Sequence, residues 1–530
     1  LVFFHNMKML LFLFQTLYFL GSSAHSQASK SRIHSEEVSK QIEQNTKISY
    51  KNEVYKDPQN ITYNSSGTCG NDCLFTFQDG LLTISGQGKM NDYNSPENQP
   101  PWNQYANSIT SIIINDGITS IGDCSFEKIP FLTSVSIPET VTQIGCRTFS
   151  ECSQLQSFKI PSNVTSLSSN IFSSCGFTNY SIPDTITVIE SYAFFNCSKL
   201  TTISIPTTIE KIESHAFSNC ILLTTITLPN NCVDMGGYVF QNCEKLCSAF
   251  LSENLTEIPS FTFDHCTELT SIEIPKNCTK IGENAFYSCF KIEKLLIPEN
   301  VTTFEKNCFG RCNFIEFKIP KSVTSIGSEC FYECTNLTSI EIPEKITVIS
   351  PSTFFGCQKL ESIQLPDNLT SICESAFMKC EKLSSISIPE NVEKIESFAF
   401  CECKALKIIE IPKKVDSIGS NIFESCIQLT FVNFSKNKKI SVIPYRSFYN
   451  DLNLISIELP ESEAFYNCQK VDQISIPKTV TEIQKSAFSE CLSLSSIVIP
   501  DSVTVLSSCC FFRCEKLSSL KIVEETNEIE

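Results

Sequence analysis

Apolar and polar positions along this chain follow a beat of 23 residues, sometimes 22, from about residue 108 to 523. The pair Ile-Pro marks the beat: Ile137-Pro138, Ile160-Pro161, Ile182-Pro183 and Ile205-Pro206 begin the series, and Ile476-Pro477 and Ile499-Pro500 end it. Leu228-Pro229, Leu365-Pro366 and Leu459-Pro460 are variants of the same pair. Aligned on it, the unit reads L-x-x-I-x-I-P-x-x-V-x-x-I-x-x-x-A-F-x-x-C-x-x, with a clean copy at Leu200, Ile203, Ile205, Pro206, Ile209, Ile212, Ala216, Phe217 and Cys220. The alternation in L-x-x-I-x-I predicts a short strand with one face buried. Proline then ends the strand, because it has no N–H for the next ladder bond. V-x-x-I starts a return path, and A-F-x-x-C places a ring and two small groups inside. One such coil cannot bury its own apolar face, whereas a stack of coils can. The fold expected is a repeat solenoid, mainly β and irregular, with one strand per coil and little helix.

The ends of the chain depart from the beat. Met7-Lys8-Met9 precedes the apolar run Leu10 to Leu20 and the small residues Gly21-Ser22-Ser23-Ala24. That order predicts a signal peptide over 1–24, with translation starting at Met7; its apolar run is too short to span a bilayer. No later segment has 18 continuous apolar residues, so no transmembrane span is expected beyond the signal segment. Residues 25–66 are polar and charged without periodicity and read as a flexible linker. Residues 67–107 read as an N-terminal cap, 108–523 as the solenoid, and 524–530 as an acidic tail, either a minimal polar cap or the point where a longer sequence is cut.

Composition removes several function classes. Among 530 residues, 41 are basic and 58 acidic, and the net charge of −17 disfavours nucleic acid and anionic membranes as partners. Of the 40 Phe, one set recurs at a fixed repeat position, from Phe149, Phe172 and Phe194 onward, which predicts a stacked spine. Many of the 29 Cys recur at another fixed position, including Cys197, Cys220, Cys243, Cys266 and Cys289. Cys308, Cys330 and Cys510 stand where other copies have Ala, so the thiol is read as a small hydrophobe. On that reading, serine at Cys289 would strand a buried hydroxyl. Cys69 and Cys73, outside the ladder, are the candidate disulfide. No CxxC pair is joined to a second ligand pair, so no metal is expected.

Catalytic parts are missing from the pattern. His215 and His265 sit two coils apart at variable positions, and Asp264 beside His265 reads as surface. Gly86-Gln87-Gly88 is a lone GxG with no helix to follow, so no phosphate loop and no cofactor are expected. The chain is expected not to be an enzyme.

The motif resembles the BspA-type leucine-rich repeats of surface antigens. The segment before the array strengthens the resemblance: Gly67-Thr68-Cys69-Gly70, then Asp79-Gly80-Leu81-Leu82-Thr83-Ile84-Ser85-Gly86-Gln87-Gly88-Lys89-Met90, Asp92-Tyr93, Pro101-Trp102 and Gly117 to Gly122. The resemblance implies an exported surface antigen or adhesin, secreted or on the cell surface, whose partner is a protein or a cell-surface or matrix ligand. An intracellular signalling repeat protein, a structural coat component and an enzyme inhibitor are the alternatives.

Two surface features carry candidate chemistry. Asn163, Asn254, Asn277, Asn300 and Asn368 each begin an Asn-x-Ser/Thr sequon in the turn after the strand and are candidate glycosylation acceptors. The outward strand slot between the two Ile positions holds mostly small polar residues, but Phe250 and Leu296 break it two coils apart and flank Glu273. Exposed apolar groups around a carboxylate suit a protein contact, so these three residues are the candidate ligand site. The competing reading turns Phe250 inward, because its coil (Cys247 to Ser252) is degenerate.

Overall fold

In the computed structural model each repeat forms one coil of a parallel β-solenoid. The structure describes residues 65–433 and, beyond them, 446–447, 456–458, 473–475, 482–483, 495–499, 501–506 and 508–522. The expected signal segment, the linker up to residue 64 and the acidic tail 524–530 lie outside the described residues.

The cap is an antiparallel meander of β1 (Ser65–Thr68), β2 (Cys73–Gln78) and β3 (Leu81–Gly86), and it begins two residues before the boundary read from the sequence. Asp79 and Gly80 join β2 to β3 with φ of 47° and 83°, the left-handed pair a two-residue hairpin requires. After β4 (Gly88–Lys89) and a 3-10 turn at Asn103–Ser108 comes β5 (Ser111–Ile114), which pairs with β3 in parallel. The cap therefore takes up the hydrogen-bonding edge of the first coil while turning antiparallel pairing into parallel.

Where the alternation predicts one strand per coil, the structure holds two. One ladder continues from β5 to β7 (Ser134–Ser136), and a second runs from β4 through β6 (Ile118–Ile121) to β8 (Gln143–Ile144). The second ladder recurs at V-x-x-I, as at Val188–Ile189, Lys211–Ile212 and Asp234–Met235. Two extended residues suffice there, because equivalent groups on adjacent coils lie opposite one another. Backbone polar groups beside a core must find partners, and the next coil supplies them.

The A-F-x-x-C turn is bonded between coils as well: Phe172 N–H reaches the Ala193 carbonyl at 2.9 Å, and Phe194 reaches Ala216 at 2.8 Å. It places non-glycine residues at positive φ in coil after coil, including Tyr192 (63°), His215 (61°), Tyr238 (63°) and Phe261 (59°). That conformation costs about 1–2 kcal/mol per residue and persists because the inter-coil bonds over-determine it.

The Phe column stacks from Phe126 to Phe423, with successive ring centroids 5.4–6.2 Å apart. Trp102 of the cap closes this spine at 5.6 Å from Phe126 and donates its Nε1–H to the Ser125 carbonyl at 2.9 Å. The ladder cysteines are buried beside the spine but are more than small hydrophobes. From Cys152 to Cys426 each ladder thiol donates to a Phe carbonyl of an earlier coil, as Cys197 does to Phe172 at 3.1 Å, Cys289 to Phe263 at 3.2 Å and Cys403 to Phe377 at 3.2 Å. Burial pushes the Cys197 thiol up to about 12, so it stays protonated and able to donate. A hydroxyl at Cys289 would face the same carbonyl, which corrects the expectation of a stranded group. Among the described residues no helix is long and apolar enough to cross a membrane.

Candidate binding face

The ladder register decides which side chains face outward. Thr227 pairs with Phe250, and Ser248-Ala249 pair with Ser271-Ile272, so Ala249 takes the inward slot and is buried. Phe250 is therefore turned out and 58% exposed; the inward reading of this degenerate coil does not hold. The reason is the pleat. Leu228 N–H bonds the Phe250 carbonyl at 2.8 Å, which locks the register, and a one-residue slip would expose the whole inner row.

Glu273 follows in the next coil and is exposed, and Leu296 in the coil after that is 88% exposed above the buried Leu295. All three candidate residues thus stand exposed in successive coils. Lys294–Leu296 form no ladder with the strands at Ser271–Ile272 and Glu316–Lys318. A depression of about 590 Å³ opens beside Leu296, and Lys294, Glu316, Lys318, Glu341 and Gln364 are in its wall. Most of these charges were legible as outward slots, but only the break in pairing shows that they surround a hollow.

The other candidates have structural employment. Cys69 and Cys73 are buried with free thiols; Cys73 donates to the carbonyls of Gln87 (3.4 Å) and Lys89 (3.3 Å), so the candidate disulfide is unformed here. Burial and the neighbouring Cys73 push Cys69 up to about 12. The sequon asparagines are exposed as expected, yet each side-chain amide donates to a backbone carbonyl one coil back. Asn163 reaches Glu139 (2.7 Å), Asn254 reaches Asn230 (2.7 Å), and Asn277 reaches Glu253 (3.2 Å). Asn300 reaches Lys276 (2.8 Å) and Asn368 reaches Glu344 (3.3 Å). Asn231 and Asn391, outside sequons, make the same bond. The sequon threonines Thr279, Thr302 and Thr370 also bond the coil behind them. At those sites Asn-x-Thr arises from two adjoining ladders.

Asp264 departs from its surface reading, although His265 beside it is exposed. Asp264 is buried; its carboxylate accepts from Gln241 at 2.9 Å and lies 2.6 Å from His265 Nδ1. That hydrogen bond raises the His265 pKa. His215 is stacked between Tyr192 and Tyr238 at 4.5 and 4.4 Å, and desolvation lowers its pKa. Ser288, one coil beyond His265, is buried with its hydroxyl unbonded, so it offers no accessible nucleophile to the Asp264–His265 pair. Among the described residues no cluster of His, Cys, Asp and Glu could hold a metal.

The repeat compares directly with known proteins. The BspA type leucine rich repeat region matches the chain in six copies, over residues 103–201, 187–316, 256–369, 303–430, 347–462 and 441–530. Among solved structures, a leucine-rich repeat protein from Eubacterium ventriosum is 25% identical, covering 68% of this chain and 95% of its own, with a TM-score of 0.43. One from Bacteroides ovatus is 21% identical over 89% of this chain and 100% of its own, with a TM-score of 0.44. A leucine rich cell surface protein from Faecalibacterium prausnitzii is 22% identical over 89% of this chain and 97% of its own, with a TM-score of 0.32. A search of curated proteins found no match. The six repeat matches, spanning most of the chain, make it a member of the BspA-type leucine-rich-repeat family.

Proposed function

We propose that this chain is an exported binding scaffold, an adhesin or surface antigen, and that its strand face contacts a protein on a cell or in matrix. The observation that carries the reading is Leu296, a bulky apolar side chain 88% exposed in a slot that most other coils fill with polar or charged residues, with Phe250 exposed two coils away. Apolar groups presented on a rigid frame are inexpensive to bury against a partner, because little conformational freedom is lost. Export is supported by the apolar segment Leu10 to Leu20 and its small-residue flank. The role is read as binding: the solenoid presents an exposed apolar pair on its strand face, and Ser288, the serine one coil beyond the Asp264–His265 pair, is buried.

The test replaces Phe250 and Leu296 with Ser and measures attachment of the purified chain to cultured cells and to matrix-coated surfaces. Attachment is expected to fall at least tenfold. Stability should change by no more than about 0.5 kcal/mol per site, as for other exposed positions. Unchanged attachment by a folded variant would remove the strand face from this role.

A further inference from the structure

Two buried cysteines of the central coils face each other instead of a carbonyl. The ladder thiols around them, Cys289, Cys312 and Cys334, donate to the carbonyls of Phe263, Phe286 and Phe309, each at 3.2 Å. Cys308 and Cys330 stand outside that column, at the position that Ala216, Ala285, Ala376 and Ala399 take in other coils. Both are fully buried, and their Sγ atoms are 3.5 Å apart.

Backbone pairing sets the two residues opposite one another. Phe286 N–H bonds the Cys308 carbonyl at 2.9 Å, and Phe309 N–H bonds the Cys330 carbonyl at 3.0 Å. Coils held in register lie about 4.8 Å apart, within the roughly 4.4–6.8 Å between Cα atoms that a disulfide spans. The sulfurs have about 1.5 Å to close before they reach bonding distance, a shift that side-chain rotation supplies.

Their place in the array gives such a bond a task. Cys308 belongs to the coil of Lys294–Leu296 and Cys330 to the coil of Glu316–Lys318, neighbours whose strands form no ladder with each other. The approach to the second strand is short: eight residues lead from Cys312 to Pro320, where nine lead from Cys220 to Pro229. The V-x-x-I ladder still joins these coils, pairing Thr303 with Ser325 and Phe304 with Ile326. A covalent link just beyond that ladder fastens two coils that the strand face leaves apart.

We infer that Cys308 and Cys330 are a disulfide site, joined across this junction when the chain folds in an oxidising compartment, an inference that rests on the export proposed above. The oxidant is a small-molecule disulfide such as glutathione disulfide. One cysteine, as thiolate, attacks it and releases one small thiol, leaving a mixed disulfide. The second cysteine attacks that bond and releases the other small thiol, so two cysteine thiols are oxidised and one external disulfide is reduced. The two cysteine protons end on the released thiols. Burial, with Cys330 alongside, holds the Cys308 thiol well above its ordinary range, so its thiolate scarcely forms once the coils are packed. The bond therefore closes while the coils dock, before the pair is sealed from the oxidant.

The experiment refolds the purified, fully reduced chain in mixed reduced and oxidised glutathione and confirms folding by circular dichroism. Free thiols are then blocked under denaturing conditions, and linked peptides are mapped by mass spectrometry without reduction. Trypsin with a glutamyl endopeptidase separates Cys308 (residues 307–311) from Cys312, and Cys330 (residues 330–333) from Cys334. The 307–311/330–333 pair should be at least tenfold more abundant than any other linked species containing either cysteine. Cys289, Cys312 and Cys334 should be recovered blocked. In Cys308→Ala, which installs the alanine of other coils, Cys330 should be recovered blocked as well. Both cysteines free in the folded wild type, or linked equally to Cys312 and Cys334, would overturn the inference. The two readings fail separately: a chain recovered outside cells with Cys308 and Cys330 both free removes only this inference. A chain that forms the bond on refolding but is retained inside cells upholds the pairing and removes the export reading.

Discussion

Two stretches of the strand face share one architecture and present opposite surfaces. From Ser134 to Thr227 the outward slots hold Ser134, Ser136, Asn179, Ser181, Thr202, Ser204, Thr225 and Thr227, and the one long cation, Lys159, is tied to Glu139. In the coils from Phe250 to Glu341 they hold Ser248, Phe250, Ser271, Glu273, Lys294, Leu296, Glu316, Lys318, Ser339 and Glu341, so serines remain but bulky and charged residues join them. Beneath both runs the same Phe spine with nearly the same ring spacing, as at Phe194–Phe217 (5.4 Å) and Phe263–Phe286 (5.5 Å). The core therefore does not dictate the surface difference. A hydroxyl-lined strand face is what a solvated ladder needs, and the departure beyond Thr227 adds nothing to packing. The comparison assigns stability to the inner row and leaves the outer row of the central coils free for the recognition role proposed above.

The largest expected effect tests the shared core. Phe217→Ala under the hydroxyl-lined stretch and Phe286→Ala under the apolar stretch should each cost about 3–5 kcal/mol in denaturant unfolding, because both rings are fully buried. The two costs should agree within about 1 kcal/mol. A much smaller loss at Phe286 would mean that the central coils are packed differently from the rest.

A smaller effect tests the thiol ladder on the same two stretches. Cys197→Ser and Cys289→Ser should each change stability by about 1 kcal/mol or less, since the new hydroxyl meets the Phe172 or Phe263 carbonyl that the thiol now faces. Alanine at either site should be no better than serine. Losses of several kcal/mol for serine alone would show that the hydroxyl cannot reach its acceptor.

The smallest effect separates the two histidines, one on each stretch. The folded His215 pKa is lowered by desolvation, so the folded state resists a proton that the unfolded chain accepts below about 6.5. Its stability is intact above that pH and is lost as pH falls. The folded His265 pKa is raised by its hydrogen bond to Asp264, so its contribution is full below about 6.5 and is lost as pH rises through the higher folded value. Between pH 7.5 and 5.5, His215→Gln should gain stability relative to wild type and His265→Gln should lose it. Parallel trends in unfolding experiments on the two variants would contradict the opposed environments.

Much of this is written in the spacing. The beat of Ile-Pro, the Phe column and the Cys column announce stacked coils, because any position repeated with the coil is a position of the architecture. The outward place of Glu273 and Leu296 follows from the two-residue strand period alone. Phe250 was ambiguous, since its coil breaks the consensus on both sides; the ladder to Thr227 and Ser271 settled its direction. Asn277 and Thr279 spell a modification signal in one dimension, and in three they are rungs of two hydrogen-bond ladders.

The sequence by itself determined the coil, its period and its inner row, because these depend on residues within one repeat and on the rule that apolar faces must be buried. Only the tertiary structure decided what happens between coils. The second strand ladder, the thiol-to-carbonyl bonds and the buried Asp264 all depend on groups 22 to 26 residues apart meeting across a gap set by backbone pairing. Local pattern encodes which way a side chain points. What it meets is encoded by the neighbouring coil, whose variable slots follow no rule that the repeat imposes.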